Sequence, residues 1–272
     1  MAVTASEKRA QFRKLHEGGC FVIPNPWDAG SAKMLQHLGF KALASTSAGF
    51  AWSIGKPDNG VTADDVVAHV KALCDASDLP VNADFEAGFS AMSDGVAKNC
   101  AAAVRAGVAG LSIEDSTGNK DAPLYPREVA IERMKAARKG IDSEDNSTML
   151  VGRSEGFIVG RPDLKETIER LVAYAEAGAD CLYAPGIRTK EDIAAVVKAV
   201  APKPVNMLLG APGYSVAEMA ELGVRRISVG GSLARVAYGA FLAAAKEMAE
   251  QGTFGGLGNG ASGGELNKIM RG

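Results

Sequence analysis

The stretch Val81-Asn82-Ala83-Asp84-Phe85-Glu86 reads as a buried strand that ends in two carboxylates. Leu79-Pro80 before it is a turn signal that also ends the preceding helix. Alternate side chains of a strand share a face, so Asp84 and Glu86 are expected to point the same way, where a parallel strand runs into its loop. Like charges there repel unless something lies between them. A hard divalent cation with oxygen ligands meets that need, and Mg²⁺ takes only one or two carboxylates directly while keeping several waters. The competing reading is an acid pair that is solvated or bound to a neighbouring Arg. Gly110-Leu111-Ser112-Ile113-Glu114-Asp115 repeats the design, an apolar body followed by adjacent acids, and tips the balance towards the cation.

Outward from this pair the same unit recurs along the chain. Apolar strands are expected over residues 21–24, 42–46, 81–84, 110–113, 149–153, 181–183, 204–208 and 226–229. The helical patterns between them end in helix stops such as Leu38-Gly39, Ala106-Gly107, Ala177-Gly178 and Leu222-Gly223. Eight near-continuous apolar strands alternating with helices predict an α/β fold, a (β/α)8 TIM barrel. A doubly wound open sheet is the alternative, but it would gather ligand residues at one switch point, whereas polar residues mark the ends of most strands here. The barrel, with an N-terminal helix over residues 6–18 starting at a Ser cap, is expected to span residues 1–252, closing with a long helix over about 232–251. Residues 253–272 read as a Gly-rich linker and a short helix over 265–270, suited to docking on a partner subunit. Gly258-Asn259-Gly260-Ala261-Ser262-Gly263 matches G-x-G-x-x-G, but no strand precedes it, so it is read as linker.

A chain of 272 residues, 47% hydrophobic and 23% charged, can build one large core. Its net charge of -2, with acids and bases interspersed, gives no field to hold a polyanion, which argues against nucleic acid as a partner. Cys20, Cys74, Cys100 and Cys181 have neither CxxC nor metal-finger spacing and read as reduced thiols. No apolar run approaches membrane-spanning length, and the first nine residues lack the apolar centre of a signal peptide, so a cytoplasmic protein without a membrane partner is expected.

In a barrel the carboxyl ends of the strands converge on one site, which lets the candidates be collected. Ser45-Thr46-Ser47-Ala48-Gly49 offers backbone N–H groups for a carboxylate or enolate oxygen, or else a small-residue turn for tight packing. Asp58 in Pro57-Asp58-Asn59-Gly60 is placed to reach metal-bound water, although turn chemistry alone explains the sequence. Arg153 suits bidentate binding of a carboxylate or phosphonate, against an ion pair with Glu155. Asn206 offers a donor, with a loop hydrogen bond as its other role, and Tyr183 and Tyr125 are candidate proton donors or packing residues. His16, His37 and His69 all fall in expected helices, so no catalytic histidine or Ser-His-Asp triad is assigned.

Pro24-Asn25-Pro26-Trp27-Asp28-Ala29-Gly30-Ser31-Ala32, the 45–49 turn, Ala83-Asp84-Phe85-Glu86-Ala87-Gly88-Phe89, Ser112-Ile113-Glu114-Asp115, Gly152-Arg153-Ser154-Glu155 and Pro204-Val205-Asn206 together resemble the isocitrate lyase/phosphoenolpyruvate mutase superfamily, in order over nearly the whole chain. The resemblance implies a (β/α)8 barrel whose last helix is exchanged with a neighbour, giving dimers and commonly tetramers. It implies Mg²⁺, with Mn²⁺ as an alternative ion, on Asp84, with Glu86, Glu114 and Asp58 acting mainly through water. It further implies that Ser45, Thr46, Ser47 and Arg153 hold a 2-oxo or 2-hydroxy carboxylate and that bond cleavage leaves an enolate on the metal, a charge that a cation and backbone donors stabilise.

The chain also departs from that pattern. Lyases of the family carry Lys-Lys-Cys-Gly-His or Lys-Arg-Cys-Gly-His after the fourth strand, whereas residues 116–126 contain neither Cys nor His. The mutases have an Asn in this loop, for which Asn119 is the counterpart, and a His near the end of the sixth strand, where this chain has Tyr183-Ala184-Pro185-Gly186. The expectation is therefore a Mg²⁺-dependent lyase breaking a C–C bond of a small 2-hydroxy or 2-oxo acid, with Asn119 or Tyr125 closing over the substrate. P–C bond chemistry on a phosphonate and a non-catalytic carboxylate-binding protein are the alternatives.

Overall fold

The computed structural model describes residues 3–271; Met1, Ala2 and Gly272, the outermost residues of the two expected segments, lie outside it. The chain runs α1 (Ala5–Leu15), β1 (Phe21–Ile23), α2 (Ala29–His37), β2 (Leu43–Ala44), α3 (Ser47–Ser53), α4 (Ala63–Ala76), β3 (Val81–Asp84), α5 (Ser93–Arg105) and β4 (Gly110–Glu114). It continues through α6 (Arg127–Asp142), β5 (Met149–Arg153), α7 (Leu164–Glu176), β6 (Cys181–Tyr183), α8 (Lys190–Val200), β7 (Val205–Leu208), α9 (Val216–Glu221), β8 (Arg226–Ser228), α10 (Ser232–Gln251) and α11 (Gly263–Arg271).

The eight strands are parallel and ordered β1-β8-β7-β6-β5-β4-β3-β2. The seam between β1 and β2 is bridged by Ala44 N–H donating to Pro24 O (3.0 Å), so the sheet curls into a nearly closed barrel with the helices outside. This is the (β/α)8 architecture the strand pattern predicts. The core fills the space between strands and helices with Leu43, Val81, Leu111, Leu150, Leu182 and Ile227, all buried. Residues 110–114, 149–153, 181–183, 206 and 226 stand in one continuous register, Glu114↔Arg153↔Tyr183↔Asn206↔Arg226, and this row sets the site.

Several local expectations are corrected. The first helix begins one residue earlier than expected and ends at Leu15, because Thr4 rather than Ser6 is its cap, in a reciprocal capping box with Glu7. β2 stops at Ala44 because Thr46 caps a helix instead of extending the strand, its hydroxyl accepting from Gly49 N–H (3.3 Å). The Gly-rich segment is not free chain: it forms a 3-10 turn at Gly255–Asn259, held by the Glu247 carboxylate, which accepts from Gly255 N–H and Gly256 N–H (both 2.7 Å). α11 lies against α2 of its own chain, where Lys33 Nζ donates to Met270 O (2.6 Å). α10 packs mainly on that 3-10 turn; Ala234 is its only buried residue, and Val236, Phe241 and Leu242 are exposed.

Candidate active site

At the carboxyl ends of the strands a cavity of about 190 Å³ opens, lined by Ser45, Thr46, Ser47, Asp58, Asp84, Arg153, Tyr183 and Asn206 among the expected residues. The tertiary fold thus gathers eight side chains that are spread over more than 160 positions of sequence.

Arg153 is the hub. Its Nη1 lies 3.3 Å from Asp84 Oδ1 and 3.2 Å from Glu114 Oε2, and its Nε is bound to Glu155 Oε1. The expected pairing with Glu155 is present, and register explains the rest: Glu114 and Arg153 are paired neighbours on β4 and β5, and Asp84 ends the next strand over. The guanidinium is held charged: burial works against that, but Glu155, Glu114, Tyr183 and Asp84 outweigh it. Its ring neighbour is Tyr183, whose centroid is 5.2 Å from the guanidinium carbon. Burial pushes the Tyr183 phenol up to about 12, so it stays protonated at neutral pH.

Asp84 is tied to the loop after β2. Its backbone N–H donates to Ser45 Oγ (2.8 Å), and its Oδ2 accepts from Ser47 N–H (3.0 Å). These serine groups therefore orient a carboxylate of the protein itself. Glu86 reaches the cluster by a different route from the expected strand alternation. β3 ends at Asp84, and Glu86 sits in the following turn with φ of +44°, a left-handed conformation uncommon for a residue other than glycine and typical of constrained functional sites. Its Oε1 is buried with no hydrogen-bond partner among the described residues. Burial, and then the charges of Asp84 and Asp58, push its carboxyl up to about 7. Burial likewise drives Glu114 upward, partly offset by Arg153 and reinforced by Glu155, Asp84 and Glu86.

These side chains fit a hard divalent cation. The donors are all carboxylate oxygens, an orphaned buried oxygen faces no partner, and burial, then repulsion from neighbouring carboxylates, raises the proton affinity of Glu86 and Glu114. Among the described residues no three His, Cys, Asp or Glu side chains are already arranged to hold a metal directly.

Two expected residues are not brought together with the rest. Asn119 is on an exposed loop, where its Oδ1 accepts from Asp121 N–H (3.0 Å) in a local turn. Tyr125 stacks under the Arg133 guanidinium (4.2 Å), away from the cavity. Asp115, adjacent to Glu114, turns outward: it accepts from Tyr174 OH (2.6 Å), Arg170 Nη1 (3.2 Å) and Glu155 N–H (2.7 Å) and so buttresses the strand that carries Arg153. Sequence reading missed Asn25, Asn82, Ser112, Arg226 and Ser228, which also line the cavity. For Arg226 the signal was a charge within an apolar strand. For Asn25, whose Oδ1 accepts from Val229 N–H (2.8 Å) and Gly230 N–H (2.9 Å) and whose Nδ2 donates to Ser45 O (2.9 Å), the signal was its place in the Pro24–Ala32 stretch that carries the family resemblance.

A parallel barrel whose strand-end pocket sets Arg153 among carboxylates defines a class of enzyme-like scaffold, which the comparisons make specific. The phosphoenolpyruvate phosphomutase family model matches residues 12–249. The chain is 33% identical over 236 residues to the uncharacterized protein Rv1998c of Mycobacterium tuberculosis (86% of this chain, 85% of the relative). It is 32% identical over 215 residues to the 2,3-dimethylmalate lyase of Eubacterium barkeri (74% and 67%). A crystal structure from Burkholderia cenocepacia J2315, provisionally assigned as a lyase/mutase, superimposes with a TM-score of 0.95 at 46% identity, covering 98% of both chains. The chain belongs to the phosphoenolpyruvate mutase/isocitrate lyase superfamily, whose members are lyases and mutases acting on small carboxylic acids. Among the described residues no helix is long and apolar enough to cross a membrane.

Proposed function

We propose that the protein is a Mg²⁺-dependent lyase that breaks a C–C bond of a small 2-hydroxy or 2-oxo carboxylic acid. The observation that carries this reading is the orphaned, buried Glu86 carboxylate near Asp84 and Asp58, two acids that line a small cavity, with Glu114 joined to Asp84 through Arg153. Asp84, Glu86 and Glu114 would hold the ion, with Asp58 acting through water. When bound, the ion supplies positive charge that draws electrons towards the substrate's 2-oxygen.

The chain's own residues supply the rest. Ser45 and Ser47 fix the Asp84 carboxylate in one orientation. Asn206, whose amide joins Arg226 Nε (2.9 Å) to Ser228 Oγ (3.0 Å), holds the polar side chains deeper in the cavity in place. Asp58, which lines the cavity, takes the proton of the substrate's 2-hydroxyl through water; as the 2-oxygen becomes a carbonyl the C–C bond breaks and its electron pair is left on the departing carboxylic acid as an enolate. Tyr183, a neutral phenol under Arg153, is suited to donate the proton that quenches the resulting carbanion. This assigns to a strand-six Tyr a task for which the loop 116–126 offers no Cys or His. The exposed apolar side chains of α10 support assembly with further copies, in which this helix is exchanged between subunits.

The test is turnover of 2-hydroxy and 2-oxo acids followed by NMR, in Mg²⁺ and in EDTA, for the wild type and Asp84→Ala. Metal-dependent release of two smaller acids, abolished by Asp84→Ala, is expected. Turnover indifferent to both changes would sink the reading, and a shifted phosphorus resonance with phosphonopyruvate would replace it by P–C bond chemistry.

A further inference from the structure

The cavity extends below the acid ring into the barrel, and its floor is polar. Asn82, Ser112, Asn206, Arg226 and Ser228 line it at a depth where barrels usually stack branched apolar side chains. Arg226, the first residue of β8, is only 2% exposed. Its Nε donates to Asn206 Oδ1 (2.9 Å) and its Nη1 to Asn82 Oδ1 (3.3 Å), both neutral acceptors. Asn206 in turn donates through Nδ2 to Ser228 Oγ (3.0 Å). Among the described residues no carboxylate forms an ion pair with Arg226, and its guanidinium carbon lies 6.0 Å from the centroid of the Phe12 ring.

The two cavity arginines differ in this respect. Arg153 shares its charge with three carboxylates, Asp84, Glu114 and Glu155. Arg226 shares its charge with none. A buried cation without a counter-charge costs several kcal/mol, and a row of amide and hydroxyl groups in a barrel core adds to that cost unless each finds a partner. The same arrangement is what an acidic group would need: one full positive charge and neutral hydrogen-bonding groups around it, open to the cavity.

We propose that Arg226, with Asn82, Asn206 and Ser228, forms a second anion subsite at the floor of the cavity, which takes the distal carboxylate of a substrate whose other end lies at the acid ring. This rests on the carboxylic-acid reading above and narrows it to acids with two acidic groups. Asn82 and Asn206 orient the guanidinium, and Arg226 is a specificity-determining residue.

The experiment is calorimetric binding in Mg²⁺ of malate and of its 4-amide, which keeps the 1-carboxylate but is uncharged at the distal end, to the wild type, Arg226→Met and Arg226→Gln, with folding checked by circular dichroism. Wild type is expected to bind malate about 10- to 100-fold more tightly than the amide, the size of one charge-assisted contact. Both variants should lose that preference while binding the amide as the wild type does. Arg226→Gln keeps a polar side chain for Asn82 and Asn206 should the Met variant fail to fold, and the wild-type comparison stands without either. Equal binding of the two ligands by wild type, or a preference that survives in the variants, would overturn the subsite. Binding of neither ligand by wild type would instead strike the carboxylic-acid reading on which it rests.

Discussion

Arg153→Met is the most informative single change, because it removes the positive charge that Asp84, Glu114 and Glu155 share. The side chains involved are between 4% and 18% exposed, so water screens them little. Removing one partner from a buried ion cluster costs about 3–5 kcal/mol, since the charges left behind lose their compensation. At roughly 2–4 °C per kcal/mol for a chain of this size, the melting temperature should fall by about 6–20 °C in EDTA. A cation that fits the acid ring replaces the lost charge: at a hundred times its dissociation constant it returns about 2.7 kcal/mol. Mg²⁺ should therefore restore more than half of the deficit. Arg153→Lys, which keeps the charge but not the planar fork, should lose less. The assay is urea unfolding of wild type and both variants across a Mg²⁺ series. A Met variant within 1 kcal/mol of wild type in EDTA, or one that Mg²⁺ does not stabilise, would refute the view that this arginine and the metal answer the same electrostatic need.

Other perturbations test the frame around the site. His16 and His69 are buried, and burial chiefly holds their folded-state values down, at about 3 and about 4. Both lie below the unfolded value of about 6.5, so the stability these neutral rings permit is complete above that pH and is lost as pH falls, by about 2 kcal/mol for each at pH 5. Urea midpoints at pH 8 and pH 5 should accordingly diverge less in a His16→Gln/His69→Gln protein than in wild type, and an unchanged difference would contradict the assignment. In Gly140→Ala the new Cβ would meet Ala97 O at 2.1 Å, where α5 and α6 pack backbone to backbone. The roughly 1 kcal/mol that Ala adds to a helix cannot offset overpacking of about 1–3 kcal/mol or more, so calorimetry should find a net loss, and a gain would count against the packing. Asn25→Ala strips partners from Val229 N–H and Gly230 N–H, and should cost about 2–4 kcal/mol with a matching loss of ligand affinity, read by denaturant unfolding and titration.

The fold was largely legible because its signals are local. Short apolar runs closed by Gly or Pro mark the eight strands, and the position of a residue at the end of a parallel strand already says that Asp84, Glu114 and Arg153 face the same mouth. Glu86 was a suspect for a partly mistaken reason: strand alternation does not continue past Asp84, and a left-handed turn brings its carboxylate in. Asn119 and Tyr125 were suspects because their loop follows β4, but whether a loop residue turns inward depends on contacts such as the Arg133 stack, which sequence spacing does not encode.

By itself the sequence determined the strand count, the parallel order and the acids at the strand ends, since short apolar runs closed by turn signals mark the strands and their ends, and helical patterns between them call for parallel crossovers. The tertiary structure alone decided which charges meet. Arg153 finds three carboxylates on three loops and strands, whereas Arg226, more deeply buried, reaches across the barrel to Asn82, 144 positions away, and finds none. Strand alternation fixes the face on which a side chain stands, but only the register and tilt that close the barrel fix what stands opposite it.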